Sequence, residues 1–181
     1  FLMNFSLIAI FFFIPSYILY VMNGSATQSG LTTTLLSIPG LFMGPIYSRM
    51  IANKGSARGV LTIGMILRVV VHAAFIFILS PSTDLMVIYA LMIIAGFCQS
   101  AHVCTMPTAP QIQLAADKRT YGNAMIQVTM ALGSSIGSAV YSMVIAAKGI
   151  VDGLKVAFVI AMVAAIIVLV ISQFLVKNEE N

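Results

Sequence analysis

Three ionisable or proton-exchanging side chains stand inside apolar stretches of this chain, and each needs an account. Arg68 and His72 lie in the third stretch, one helical turn apart, so they share a face. A lone cation at the centre of a bilayer costs about 2.5–3.5 kcal/mol on insertion scales and more by simulation, so Arg68 must have a partner. The neutral imidazole of His72 is positioned to accept a hydrogen bond from it. No Asp or Glu lies at matching depth, so a carboxylate counter-ion would have to come from other sequence or another subunit. Two chemistries fit, an anionic-substrate site and part of a proton relay. A structural reading stands beside them, an arginine that caps backbone carbonyls or reaches toward an interface. His102, three residues after Gln99 in the fourth stretch, is the third such group, and histidine is the side chain that most readily exchanges a proton near neutral pH. Asn123 and Gln127 pair in the same way in the fifth stretch. Such amides either hold membrane helices together, at about 0.6–2 kcal/mol each, or line a cavity. No nucleophile stands near a base at useful spacing, and no metal-ligand cluster or phosphate loop is present. Neither enzyme activity nor a metal or cofactor is therefore expected.

The elements that carry these residues follow from composition. Of 181 residues 60% are apolar, 8% are charged and the mean hydropathy is +1.05, so water cannot be the main solvent. Residues 85–116, 120–147 and 156–176 contain no Asp, Glu, Lys or Arg, and each exceeds the roughly 20 residues that cross a bilayer as a helix. Alternation of the kind a barrel strand needs is absent, so helices are expected. Six spans are read at 2–22, 30–49, 59–79, 84–106, 121–147 and 154–176. Turn signals separate them at Asn23-Gly24-Ser25, Asn53-Lys54-Gly55-Ser56, Pro81-Ser82, Asp117-Lys118-Arg119 and Lys148-Gly149. One side of the membrane then carries Arg49, Lys54, Arg58, Lys118, Arg119 and Lys177, and the other Lys148 and Lys155. This asymmetry favours the first side as cytoplasmic, with both ends on it, and the plasma (inner) membrane is the expected location. The chain starts at Phe1, already inside a greasy segment, which reads as a cut through a longer protein. The Asn178-Glu179-Glu180-Asn181 tail reads as a natural C-terminus.

Small residues and prolines mark the helix surfaces. Gly40-x-x-x-Gly44 and Gly133-x-x-x-Gly137, the latter interleaved with Ser134 and Ser138, leave flat stripes whose default meaning is helix contact. Pro15, Pro39 and Pro45 predict kinks, and Pro107 with Pro110 is expected to end the fourth helix. Cys98 and Cys104, six residues apart on different faces, read as small hydrophobes rather than a disulfide or metal pair. Twelve Met and eleven Phe suit packing and lipid contact, with a greasy drug site as the other reading. The net charge of +4 is spread over loops, and no nucleic-acid partner is implied.

Several short runs resemble the second half of major facilitator superfamily transporters, most of all their fourteen-helix drug:proton antiporter branch. These are Gln28-Ser29-Gly30-Leu31, Pro45-Ile46-Tyr47-Ser48-Arg49 and the loop Asn53-Lys54-Gly55-Ser56-Ala57-Arg58. Met106-Pro107, Gly122-Asn123-Ala124 and residues 133–139 are further instances. They are similar to that branch's Q-x-G-L helix start, its P-I-x-G-R exit, its short basic loop, its M-P, its G-x-A and its G-S-I-G-T-A. Ala52 or Asn53 stands where the branch has a loop acid, and Ser48 where glycine is usual. The resemblance spans residues 28–139 and implies an all-α membrane protein, one six-helix half of a two-domain transporter with a central cavity between halves. It implies that the first, second, fourth and fifth helices face the cavity, which makes Asn4, Tyr17, Thr34, Gln99, His102 and Gln127 candidate lining residues. The third and sixth lie outside, which would make Arg68 and His72 peripheral. Arg49, Lys54 and Arg58 would form the basic loop. The implied activity is proton-coupled multidrug efflux by alternating access. The implied partners are the lipid bilayer, a missing N-terminal half or a second copy, a small-molecule substrate and protons. A stand-alone homodimeric transporter and a non-transporting membrane scaffold remain as rival readings.

Overall fold

The computed structural model describes residues 1–54 and 57–175, with their side chains except at 53, 54, 107–113 and 175. Its helices are α1 (Leu2–Tyr20), α2 (Ala26–Lys54), α3 (Ala57–Ile78), α4 (Leu85–Gln113), α5 (Arg119–Lys148) and α6 (Ile150–Leu175). All six are long and apolar enough to cross a membrane.

Local chemistry sets the helix starts. Ser25 and Gln28 close a capping box before α2: Gln28 N donates to Ser25 Oγ at 3.2 Å, and Ser25 N donates to Gln28 Oε1 at 2.8 Å. That box starts α2 at Ala26 rather than at 30, four residues earlier than hydropathy alone suggested. Asp84 caps α4, its Oδ1 accepting from Met86 N at 2.8 Å. Gly149 alone joins α5 to α6, with φ 82, a left-handed conformation that a residue with a Cβ adopts at a cost. Two expectations need correction. α4 does not end at Pro107 and Pro110 but runs to Gln113, because each proline deletes only its own N–H and the remaining ladder carries the helix past it. Asn53 and Lys54 belong to α2 rather than to a loop, while Gly55 and Ser56 lie outside the described residues. Asp117 and Lys118, read as a turn, form a single 3-10 turn that leads into α5.

The helices pair in a repeating way: α2 against α4, α1 against α5, α3 against α4, α1 against α6, and α3 against α6. Exchanging α1 with α4, α2 with α5 and α3 with α6 turns this set of pairings into itself. Helices three apart in an up-and-down bundle run in opposite directions, so the two three-helix units are related as inverted repeats. The core follows α1, whose Ile10, Ile14 and Ile18 meet Phe75 of α3, Met92 of α4 and Phe158 of α6. Phe75 and Phe158 stack at 5.1 Å. Tyr17 lies wholly in this core, and its hydroxyl donates to the Ser80 carbonyl at 2.5 Å, tying the end of α1 to the turn between α3 and α4. Tyr17→Phe is expected to lower unfolding stability in detergent by about 0.5–1.5 kcal/mol. An unchanged melting temperature would show that this bond contributes nothing net.

What remains exposed distinguishes the helices. The exposed residues of α3 are Ile63, Ile66, Val70 and Phe77, and beyond its first turn α6 exposes only Val, Ile and Phe among the described side chains. Such faces match lipid. α2 and α5 are the least buried helices, and their exposed faces mix apolar groups with Thr34, Ser37, Gln127, Thr129 and Ser135. The Thr34, Ser37 and Thr129 hydroxyls donate to carbonyls one turn earlier in their own helices, which satisfies them wherever these faces lie.

Candidate functional site

A cleft of about 240 Å³ lies between α2 and α4, at the middle of both helices. Leu36, Ser37, Gly40 and Gly44 line it from α2, and Gln99, Ser100, Val103 and Cys104 from α4. The cleft exists because α2 presents glycines there. A Cβ on Gly40 would meet only Ser100 Oγ, at 3.5 Å, and one on Gly44 would meet nothing within 4 Å. Both glycines thus border α4, Gly40 beside Ser100 and Gly44 through its carbonyl beside Cys104, and the side chains they lack leave open space there. Polar groups in the cleft are mostly engaged. Ser100 Oγ donates to Gly96 O at 2.7 Å, and the Cys104 thiol donates to Gly44 O at 3.6 Å. Gln99 Oε1 is the exception, buried and without a hydrogen bond among the described residues. No charged side chain lines the cleft.

A second cleft, of about 250 Å³, opens between α1, α5 and α6 near the Gly149 turn, with Phe13, Ser16, Tyr20, Ser142 and Leu154 among its walls. Under the exchange of repeats the α1–α5 seam corresponds to the α4–α2 seam, but the second cleft lies at the ends of its helices whereas the first lies at mid-helix.

The expected lining residues divide into two groups. Gln99 lines the first cleft, and Thr34 and Gln127 stand on the exposed faces of α2 and α5. The others are spent between helices. Asn4 Nδ2 donates to Met130 O at 3.1 Å and to Ser134 Oγ at 3.3 Å, fastening α1 to α5. Tyr17 is held at Ser80, with its ring edging the second cleft. His102 is 1% exposed and makes no hydrogen bond. Gly133 and Gly137 lie at the α1–α5 crossing, where added Cβ atoms would run into the Phe1 and Phe5 carbonyls.

Arg68 is 1% exposed, neither at the lipid surface nor in a cleft. Its Nη1 donates to the Met3 carbonyl at 2.8 Å rather than to His72. The His72 ring is occupied elsewhere, with Nδ1 2.7 Å from the Arg68 carbonyl and Nε2 3.2 Å from the Ser6 carbonyl. Both side chains thus bind the first turns of α1 to α3. Sequence reasoning could not find these partners, because every residue carries a carbonyl and none is marked. Of the basic group, Arg49 is exposed on α2, Arg58 donates to the Gln173 carbonyl and closes the last turn of α6 onto α3, and the Lys54 side chain lies outside the described set.

Six antiparallel apolar helices in two inverted repeats, with a mid-depth cleft, are the build of one half of a known transporter class. The family model described as the Major Facilitator Superfamily matches residues 1–181, the whole chain. The chain belongs to the Major Facilitator Superfamily. Neither the curated proteins nor the solved structures gave a match. Membership of this superfamily indicates a membrane transporter, and the six-helix arrangement fits one half of such a protein.

Proposed function

We propose that this chain is the transporting half of a secondary carrier that exports largely apolar small molecules in exchange for protons. It rocks against a second six-helix unit that covers the exposed faces of α2 and α5. The observation that carries the reading is the cleft between α2 and α4, at the middle of both helices and without a charged side chain in its lining. An amphipathic solute loses little on entering such a place, whereas an ion would lose its hydration without recompense. The motif resemblance to drug:proton antiporters agrees with that chemistry. Arg49, Arg58, Lys118 and Arg119, set against Lys148 and Lys155, favour a cytoplasmic location for both ends, in the plasma membrane.

The test is reconstitution of the full-length protein in liposomes loaded with a lipophilic fluorescent dye under an imposed proton gradient. Dye movement opposite to the proton gradient, collapsing with a protonophore, is the expected result. Movement that ignores the protonophore would remove the proton coupling. Absence of movement for every uncharged or amphipathic dye, alongside uptake of a hydrophilic solute, would remove the substrate class.

A further inference from the structure

α2 changes character halfway along. Its first part is anchored to α1 and α4: Ser29 Oγ donates to the Pro15 carbonyl at 2.9 Å, the Tyr89 hydroxyl donates to the Gln28 carbonyl at 3.0 Å, and Leu36 belongs to the main core. Residues 39–45 then read Pro-Gly-Leu-Phe-Met-Gly-Pro. Pro39 and Pro45 have no N–H for the carbonyls of Leu35 and Leu41, and the two glycines restrain the backbone least. The last part is held by a small apolar cluster of its own, in which Tyr47 and Ile51 pack with Val60 of α3 and Ala101 of α4, apart from the main core. Two long hydrogen bonds at Cys104 add to it, one from Ser48 Oγ at 3.8 Å and one to the Gly44 carbonyl at 3.6 Å. Sulfur is a weak partner in both.

The seam between α2 and α4 is tightest where this soft stretch begins. A Cβ on Gly96 would lie 2.5 Å from the Leu36 carbonyl oxygen and 2.6 Å from Pro39 Cγ, so the two backbones touch there. One turn beyond Leu36, a Cβ on Gly40 would meet only Ser100 Oγ at 3.5 Å, and one turn further a Cβ on Gly44 would meet nothing within 4 Å. The helices thus part from the contact at Gly96 and meet again around Tyr47 and Ala101, with the cleft of about 240 Å³ between the two contacts. On the opposite side of the stretch Leu41, Phe42 and Ile46 are exposed, so no described residue of this chain opposes movement of α2 away from α4. A backbone contact, two missing ladder bonds beside it and a far end with its own small cluster are the parts of a hinged arm.

We infer that α2 bends within residues 39–45 about its contact with Gly96, and that release of Tyr47 and Ile51 from Val60 and Ala101 opens the α2–α4 cleft toward the end of the bundle that carries Arg49. That end is the cytoplasmic one on the orientation proposed above. The role as a gate rests on the proposal that solute passes through this cleft, and it adds a local movement inside one half to the rocking of two halves.

Movement is measured first, without transport. In the full-length protein with Cys104 as its remaining cysteine, the half-buried thiol is expected to react with N-ethylmaleimide when the far end of α2 swings out. Pro39→Ala restores a donor for the Leu35 carbonyl and should slow the labelling roughly three- to tenfold, the equilibrium factor of one backbone hydrogen bond. Gly96→Ala sets a Cβ against the pivot and should speed it. Labelling of Pro39→Ala as fast as that of the parent protein, or faster, would overturn the hinge. Transport is read second, with Ser48→Cys, whose thiol takes the place of the Oγ beside Cys104. Oxidation should join the two sulfurs and stop dye movement in liposomes, and reduction should restore it. Undiminished transport with the disulfide formed would overturn the gate. A block by the disulfide alongside an inert Gly44→Leu would support the gate while removing the cleft as the solute path. Should Gly96→Ala fail to fold, or the disulfide fail to form, the labelling rate of Pro39→Ala alone decides.

Discussion

Leucine at position 137 is expected to force α1 and α5 apart. A Cβ there would lie 3.0 Å from the Phe5 carbonyl oxygen, 3.3 Å from the Phe5 Cα and 2.9 Å from the Ile8 Cγ2. Two of these three atoms are backbone and cannot rotate away. The Phe5 carbonyl is also the acceptor for the Tyr141 hydroxyl, at 2.9 Å, and Asn4 ties the adjacent residue of α1 to Met130 and Ser134 of α5. Moving α1 outward to admit leucine therefore strains three hydrogen bonds as well as the apolar seam. Overpacking of a tight core costs about 1–3 kcal/mol, and the loss of the Tyr141 bond adds about 1 kcal/mol. Gly137→Leu should lower the unfolding temperature in detergent by a large margin, and Gly137→Ala by a smaller one, because alanine brings the Cβ without the rest. Gly137→Leu melting like the wild type would mean that α1 and α5 do not approach through this glycine.

The same four-residue spacing of glycines occurs twice in the chain and means two different things. At 133 and 137 it admits a neighbouring backbone, and at 40 and 44 it leaves room beside Ser100 and Cys104 of α4. Sequence could identify the small surfaces but not what lies opposite them, since that is settled by which helices pair. The number of helices, their class and their approximate spans were legible because a bilayer imposes length and hydropathy on each segment independently. Helix ends were less so. The start of α2 depended on the Ser25–Gln28 box, and the far end of α4 on a ladder that outlasts two prolines. Polar residues in the spans were easy to find and hard to assign. Gln99 and Asn4 are both amides at membrane depth, yet one edges a cleft and the other fastens two helices. Arg68 was recognisable as costly, but its partner is the carbonyl of Met3, a group without any sequence signature.

Gly44→Leu is expected to separate transport from stability. The new side chain meets no atom within 4 Å at its Cβ, so it displaces nothing and the unfolding temperature should remain near that of the wild type. Gly44 lines the cleft of about 240 Å³ together with Gln99 and Ser100, so a leucine there is expected to take up part of that space. If solute passes through that cleft, the path loses much of its volume. Transport should then fall roughly tenfold or more, the factor that about 1.4 kcal/mol of lost transition-state stabilisation produces. Gly30→Leu supplies the control: that position is on the same helix with nothing within 4 Å of its Cβ, but it is remote from the cleft, and both stability and transport should persist. A fall in transport with Gly44→Leu but not with Gly30→Leu, at equal protein stability, assigns the path to the seam between α2 and α4. Undiminished transport in Gly44→Leu would move the path to the equivalent seam of the other repeat, where Ser16, Tyr20 and Ser142 edge the second cleft.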